Sequence, residues 1–405
     1  MGAGTAQGGA CLLISGKVRK NMEFVVFAGV LLLLFIFMIV QELIQTKNQE
    51  KLFKKYLREN YGKEPPKEYS LERFARLGSY LERHKEEKQL DDITWNDLGM
   101  DEVFRRIDRT YSAAGEEYLY YTLRNISCGR EALEHLEEVV NWLQEQENIK
   151  VRIQLLMKRL GHLGKYSLYD YLDNLDYLGE RSNRKIVLGN LLYLPFLLLL
   201  FVQPAMGTIG IVLCMLWHIM TYFREKKVIE PYIISFAYVL RLIDVCEELE
   251  KQKIPVYRRE LDELREALKS LRELRRGAYW VMAGNQGKIG GNPLDILADY
   301  LRMILHLDIF QFNRMLEKLR KKTGQVENML AITGYLDMAI SVGGFRKSLE
   351  GYCIPKLEED TEKAFLHMKK GWHPLLSQPV KNSIRADRGI LLTGSNASGK
   401  STFLK

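Results

Sequence analysis

Gly394-Ser395-Asn396-Ala397-Ser398-Gly399-Lys400-Ser401 matches the pattern G-x-x-x-x-G-K-[ST], and its residue types suit phosphate binding. Glycines let the backbone fold back until its N–H groups and the start of a following helix face an anion. On this reading the ligands are ATP and Mg²⁺. Gly394, Ser395, Asn396, Ala397, Ser398, Gly399, Lys400, Ser401 and Thr402 line the nucleotide. Lys400 reaches the β- and γ-phosphates, and the Ser401 hydroxyl binds the metal. No residue of the chain is assigned a catalytic role.

Such a loop has to be held by a strand before it and a helix after it. Gly389-Ile390-Leu391-Leu392-Thr393 is a short apolar run that predicts a buried strand, and Ser401-Thr402-Phe403-Leu404 predicts a helix start. A strand of this kind also needs parallel neighbours, because alone it buries neither face. Residues 370–405 cannot supply them. The expectation is therefore a piece of a longer protein that lacks a Walker B acid and does not hydrolyse ATP as it stands.

Other constellations are weaker. The histidines His84, His135, His162, His218, His306, His367 and His373 show no HExxH spacing, which gives a metal site little support. Glu116-Glu117 precede the apolar run Tyr118-Leu119-Tyr120-Tyr121 and read as acidic first-turn residues of a helix rather than an acid–base pair. Gly284, Gly287, Gly290 and Gly291 read as a connector between helices. Five scattered cysteines (Cys11, Cys128, Cys214, Cys246, Cys353) with no CxxC argue against a disulfide framework or zinc ribbon.

With 405 residues, 47% of them apolar and 27% charged, the chain suits two or three folded domains and excludes disordered and collagen-like classes. The net charge of +8 is spread along the chain, without the dense basic arm that grips a nucleic-acid backbone.

Three apolar stretches predict membrane helices. Phe24–Val40 holds 17 residues without a charge, close to the shortest run that crosses a hydrocarbon core of about 30 Å. Ile186–Phe223 is charge-free for 38 residues and is interrupted by Gln203-Pro204-Ala205-Met206-Gly207. That layout predicts a hairpin of spans 186–202 and 207–223, with Pro195 kinking the first. Arg184-Lys185 and Arg224-Glu225-Lys226-Lys227 flank it on one, cytoplasmic, side. The N-terminus then lies outside.

The remainder reads as helical. Tyr257, Leu261, Leu264, Leu268 and Leu271 recur at spacings of 4, 3, 4 and 3, a seam that demands a partner helix. Glu131–Leu160 and Pro293–Lys322 are helical in pattern.

Three stretches together resemble the MutS family of DNA mismatch-repair ATPases. Ile107-Asp108-Arg109-Thr110-Tyr111-Ser112-Ala113-Ala114-Gly115, with Tyr118-Leu119 and Leu123-Arg124, is similar to the family's entry into its helical core. Gly334-Tyr335-Leu336-Asp337-Met338-Ala339-Ile340-Ser341, then Tyr352 and Pro355, is similar to the segment leading out of it. Gly371-Trp372-His373-Pro374-Leu375, Asn382 and Leu392 through Thr402 are similar to the entry into the family's nucleotide domain, with Trp372, Ser395 and Ala397-Ser398 in place of its usual Arg, Pro and Met-Gly.

The resemblance and the apolar stretches together imply a mainly α protein: a MutS-core-like body with lever helices, three transmembrane helices read from the apolar runs, and the first strand and P-loop of an incomplete α/β ABC-type ATPase domain. The segments run 1–23 (tail), 24–40 (span), 41–100 (juxtamembrane), 101–185 and 224–365 (the two parts of the body), 186–223 (hairpin) and 366–405 (ATPase start). It also implies ATP-driven dimer switching in the complete protein, with lipid, a second copy and DNA as candidate partners. No Phe-x-Glu occurs before residue 185, so a mismatch-reading wedge is not expected. Two other readings stand beside it: half of an ABC-transporter-like ATPase, and a non-enzymatic membrane scaffold.

Overall fold

The computed structural model describes residues 37–404 apart from 43, 64–68, 70, 87, 127–128, 164–166, 276–299, 359–364, 377 and 396–398, and it divides into two units, 1–60 and 61–405. In the first unit the described residues of 37–60 are helical, and Phe37, Met38, Ile39 and Val40 are exposed. The rest of the predicted first span lies outside the described residues.

The second unit is mainly α. Its helices run α1 (Leu71–Arg83), α2 (Asp92–Leu98), α3 (Met100–Ile107), α4 (Ala113–Arg124), α5 (Arg130–Glu145), α6 (Glu147–Leu160), α7 (Leu168–Asp173), α8 (Arg184–Leu191), α9 (Tyr193–Val202), α10 (Pro204–Glu250), α11 (Arg258–Leu271), α12 (Leu307–Arg320) and α13 (Thr323–Ser348). Strands β1 (Leu366–Gly371) and β2 (Asn382–Ala386) and the short helix α14 (Lys400–Leu404) follow.

Local chemistry sets many of the boundaries. The Asp91 side chain accepts from Thr94 N to start α2, and Gly99 ends it at φ 65°, a left-handed value that glycine takes without strain. Ser167 and Asp170 form a capping box on α7. The seam predicted over 257–271 is real: Tyr257, Leu261, Leu264, Leu268 and Leu271 are all buried, and α11 packs on α10 and α13. Glu131–Leu160, by contrast, is two helices broken at Gln146. Of Pro293–Lys322, the described part bends at His306, which separates the helical stretch 300–305 from α12. The glycine cluster at 284–291 lies outside the described residues.

The core of the body lies where α13 meets α4, α5, α6 and α11, and where the second half of α10 meets α6 and α11. Each fully buried leucine there contributes about 1.5–3 kcal/mol of transfer free energy. Trp95, Phe104, Leu119 and Tyr120 form a second apolar cluster at the α2–α4 end.

Two helical stretches, Arg184–Val202 and Pro204–Glu250, are long and apolar enough to cross a membrane. Among the described residues there are thus two such helices, not three. The reversal between them is tighter than the predicted five-residue turn, for Gln203 alone separates α9 from α10 and Pro204 opens the new helix. The expected kink is present as the break at Leu192 between α8 and α9. Pro195 has no N–H to offer the carbonyl of Leu191, four residues earlier.

One prediction fails. Gly389–Thr393 is not a strand, and Ile390, Leu391 and Leu392 stand exposed. The sheet there is a two-stranded antiparallel ladder, β1 with β2, and it provides no parallel slot for the run before the loop. An apolar segment without neighbours on either side gains nothing by extending. An α/β nucleotide domain is accordingly not assembled within 366–404.

Candidate functional site: the phosphate loop and the clasp of the helical body

Gly394 and Ser395 lie in exposed irregular backbone, and Asn396, Ala397 and Ser398 are outside the described residues. Gly399 turns the chain at φ 82°, a conformation that a side chain would strain. Its carbonyl accepts from Phe403 N at 2.9 Å, closing the first turn of α14. Lys400, Ser401 and Thr402 form that turn, with Ser401 and Thr402 exposed. The Lys400 Nζ donates back to the carbonyls of Gly394 and, at 2.7 Å, Ser395.

These residues suit a phosphate. A glycine in left-handed geometry directly precedes the lysine, and the ammonium lies within the loop, where phosphate oxygens would replace the two carbonyls as acceptors. ATP bound here would be held by Lys400 and the loop amides, with Ser401 available to Mg²⁺. No described residue from 365 to 404 is buried, so the loop stands clear of the apolar core.

The other two resembling stretches are brought together, and their residues have structural work to do. The Asp337 carboxylate on α13 accepts from Tyr111 N at 3.0 Å, Ser112 N at 2.8 Å and Ser112 Oγ at 2.6 Å. Ser112 in turn caps α4 by accepting from Gly115 N at 3.1 Å. One helical turn along α13, Ser341 Oγ accepts from Arg109 N at 2.7 Å and donates to the Ile107 carbonyl at 2.8 Å. Asp108 Oδ1 accepts from Thr110 N and Thr110 Oγ1, and Tyr69 donates to its other oxygen.

Two glycines permit this approach. A Cβ on Gly115 would lie 2.4 Å from Asp337 Oδ2, and one on Gly334 would lie 2.5 Å from the Ala114 carbonyl oxygen. The clasp is therefore a buried network in which each carboxylate and hydroxyl is satisfied.

Glu116 occupies the first turn of α4 as expected, Glu117 lies one residue beyond it, and both are buried rather than solvated. Glu116 is bound by Arg73 at 2.5 Å and Arg76 at 2.7 Å. Glu117 accepts from Ser167 Oγ at 2.9 Å, and burial pushes its carboxyl up to about 8 despite that bond and the nearby Arg76. Sequence reasoning passed over Arg73 and Arg76. Their three-residue spacing places both on one face of α1, the only available signal.

Among the described residues no group of three or more His, Cys, Asp or Glu side chains could hold a metal ion. No protein-family model, curated protein or solved structure matches the chain.

Proposed function

We propose that the chain is a membrane-anchored, MutS-like ATP-binding protein whose nucleotide loop communicates with a lipid-embedded hairpin through its helical body. The observation that carries this reading is the character of α10. Its buried residues in the first half, Gly207, Gly210, Cys214, His218 and Tyr222, form one stripe of small and polar side chains. Its exposed residues there are Met206, Ile209, Val212, Leu213, Leu216, Trp217, Met220 and Phe223. Apolar outside and small or polar inside is the arrangement lipid demands and water penalises.

Along the same helix the burial pattern then becomes that of a soluble core, from Ile229 through Leu249. At 1.5 Å per residue the 47-residue helix is about 70 Å long and runs unbroken from hairpin to body, with Pro231 inside it where one backbone N–H is missing. The flanking Arg184, Lys185, Arg224, Lys226 and Lys227 put the body on the cytoplasmic side by the positive-inside rule. Nucleotide would bias the position of the lever only to the extent that its affinity differs between two states of the protein. A dimer closing on ATP supplies those two states in this family resemblance, and DNA is an optional partner of it.

The test has two arms. In proteoliposomes, segment 186–223 is expected to resist added protease; its digestion overturns the hairpin. A fluorescent ATP analogue with Mg²⁺ is expected to bind the full-length protein and not its Lys400→Ala variant; equal binding overturns the loop assignment. The second outcome favours the scaffold reading, which draws support from a helical body that closes its core without residues 365–404.

A further inference from the structure

A pocket of about 410 Å³ opens where the charged flanks of the hairpin meet its apolar spans. Residues from the start of α8, the middle of α10 and the start of α12 line it. Arg181, Lys185 and Arg224 bring three cations to its rim. Arg181 is engaged already, paired with Glu225 and donating from Nε to Asn313 Oδ1 at 3.0 Å. Lys185 and Arg224 have no ion pair among the described residues, against a single similarly unpaired acid at the rim, Glu180. The half-exposed Trp217 also lines the pocket, and tryptophan is a residue that favours the membrane–water interface.

The floor is His306, only 5% exposed and held at φ 52°, an uncommon backbone for a non-glycine residue. Its Nε2 lies 3.3 Å from Thr221 Oγ1. The Thr221 hydroxyl lies 3.0 Å from the carbonyls of both Trp217 and His218, and with its one hydrogen on either of them Nε2 is the donor in that contact. Burial and the neighbouring His218 lower the His306 pKa to about 4, which keeps the ring neutral. Nδ1 is then an acceptor, and it is buried without a partner. A phosphate oxygen cannot satisfy it; a hydroxyl can.

We infer that this pocket binds the headgroup of an anionic phospholipid that carries a free hydroxyl, its phosphate on Lys185 and Arg224 and its hydroxyl donating to His306 Nδ1. Basic pockets at the cytoplasmic ends of membrane helices recognise lipid headgroups in this way. The inference rests on the membrane reading of the hairpin. A headgroup seated here touches α8, α10 and α12 together, which makes lipid identity an input to the lever.

The test uses the full chain in detergent, with short-chain lipids added and retention read by native mass spectrometry. Phosphatidylglycerol should be retained at least about tenfold over phosphatidylcholine, the scale of one charge-assisted contact, and several-fold over phosphatidic acid. Lys185→Gln combined with Arg224→Gln, both exposed positions, should bring it down to the phosphatidylcholine level. His306→Phe should abolish the preference over phosphatidic acid while keeping that over phosphatidylcholine. Equal retention of phosphatidylglycerol and phosphatidylcholine, or an unaltered double variant, overturns the pocket. So does equal retention of phosphatidylglycerol and phosphatidic acid by the wild type. Competition by inorganic phosphate or glycerol phosphate as effective as the lipid itself assigns the site to a soluble anion instead. Flotation with phosphatidylcholine vesicles separates the two levels: a chain that floats without headgroup preference loses only the pocket, whereas one that fails to float loses the hairpin and the pocket with it.

Discussion

The two halves of α10 have similar residues and opposite surroundings. Leu213 and Leu216 are exposed at 60% and 54%, while Leu242 and Leu249 on the same helix are fully buried. In the first half the inward stripe is glycine, cysteine, histidine and tyrosine; in the second it is mostly isoleucine, phenylalanine, valine and leucine, with Ser235, Tyr238 and Cys246 among them. A leucine on this helix therefore does not by itself say which surroundings it meets. What differs is which residue types are turned inward, and that follows from the neighbours each half meets.

The contrast can be broken by moving a charge along the helix. Leu249→Asp should unfold the body, at a cost of about 5 kcal/mol for a buried unpaired carboxylate, read by chemical denaturation in detergent. The matching Leu216→Asp should leave that denaturation midpoint unchanged. It should instead cost about 3 kcal/mol of membrane insertion, seen as chain left in the soluble fraction. A large loss of body stability from Leu216→Asp would mean that this face packs on protein.

Within the body, Asp337→Ala should cost about 4 kcal/mol, because two backbone N–H groups and the Ser112 hydroxyl lose their shared acceptor. Within the hairpin, Gly210→Leu should cost about 2 kcal/mol of hairpin association, measurable by cysteine cross-linking across the turn. A Cβ there would lie only 2.0 Å from Phe196 Cδ1.

The last prediction concerns pH. Glu117 titrates near 4.5 when unfolded and near 8 when folded, so between these values the folded state keeps a proton that the unfolded state has lost. Its contribution is fully present below pH 4.5, declines between 4.5 and 8, and is flat above, with a slope of at most about 1.4 kcal/mol per pH unit. Glu117→Gln should flatten that decline in a series of unfolding curves; an unaltered slope would assign it to other groups.

Much of the helical body was legible in advance. The 257–271 seam could be read because period alone decides which face of a helix is apolar. The hairpin could be read because charge-free runs with basic flanks and a Gln-Pro turn are local signals. The break at Gln146 could not, since residues on either side are helix formers and tertiary packing alone reorients α6. Nor could the failure of Gly389–Thr393 to form a strand, which depends on neighbours that an apolar run does not announce. Residues 107–115 and 334–341 drew notice only by resemblance; that Asp337 caps the turn at Ser112, 225 residues away in the chain, is a fact of packing. The candidate loop was the reverse case, with its residue types evident in the sequence and no buried residue among the described ones from 365 to 404.

By itself the sequence determined the helices, the apolar hairpin with its basic flanks, and a loop of the right residue types to hold phosphate, because spacing, capping and charge act over a few residues. Only the tertiary structure decided which carboxylates are buried, which glycines must stay glycine, and where a histidine with one unpartnered nitrogen sits beside three cations. Those depend on side chains from distant segments competing for the same few ångströms.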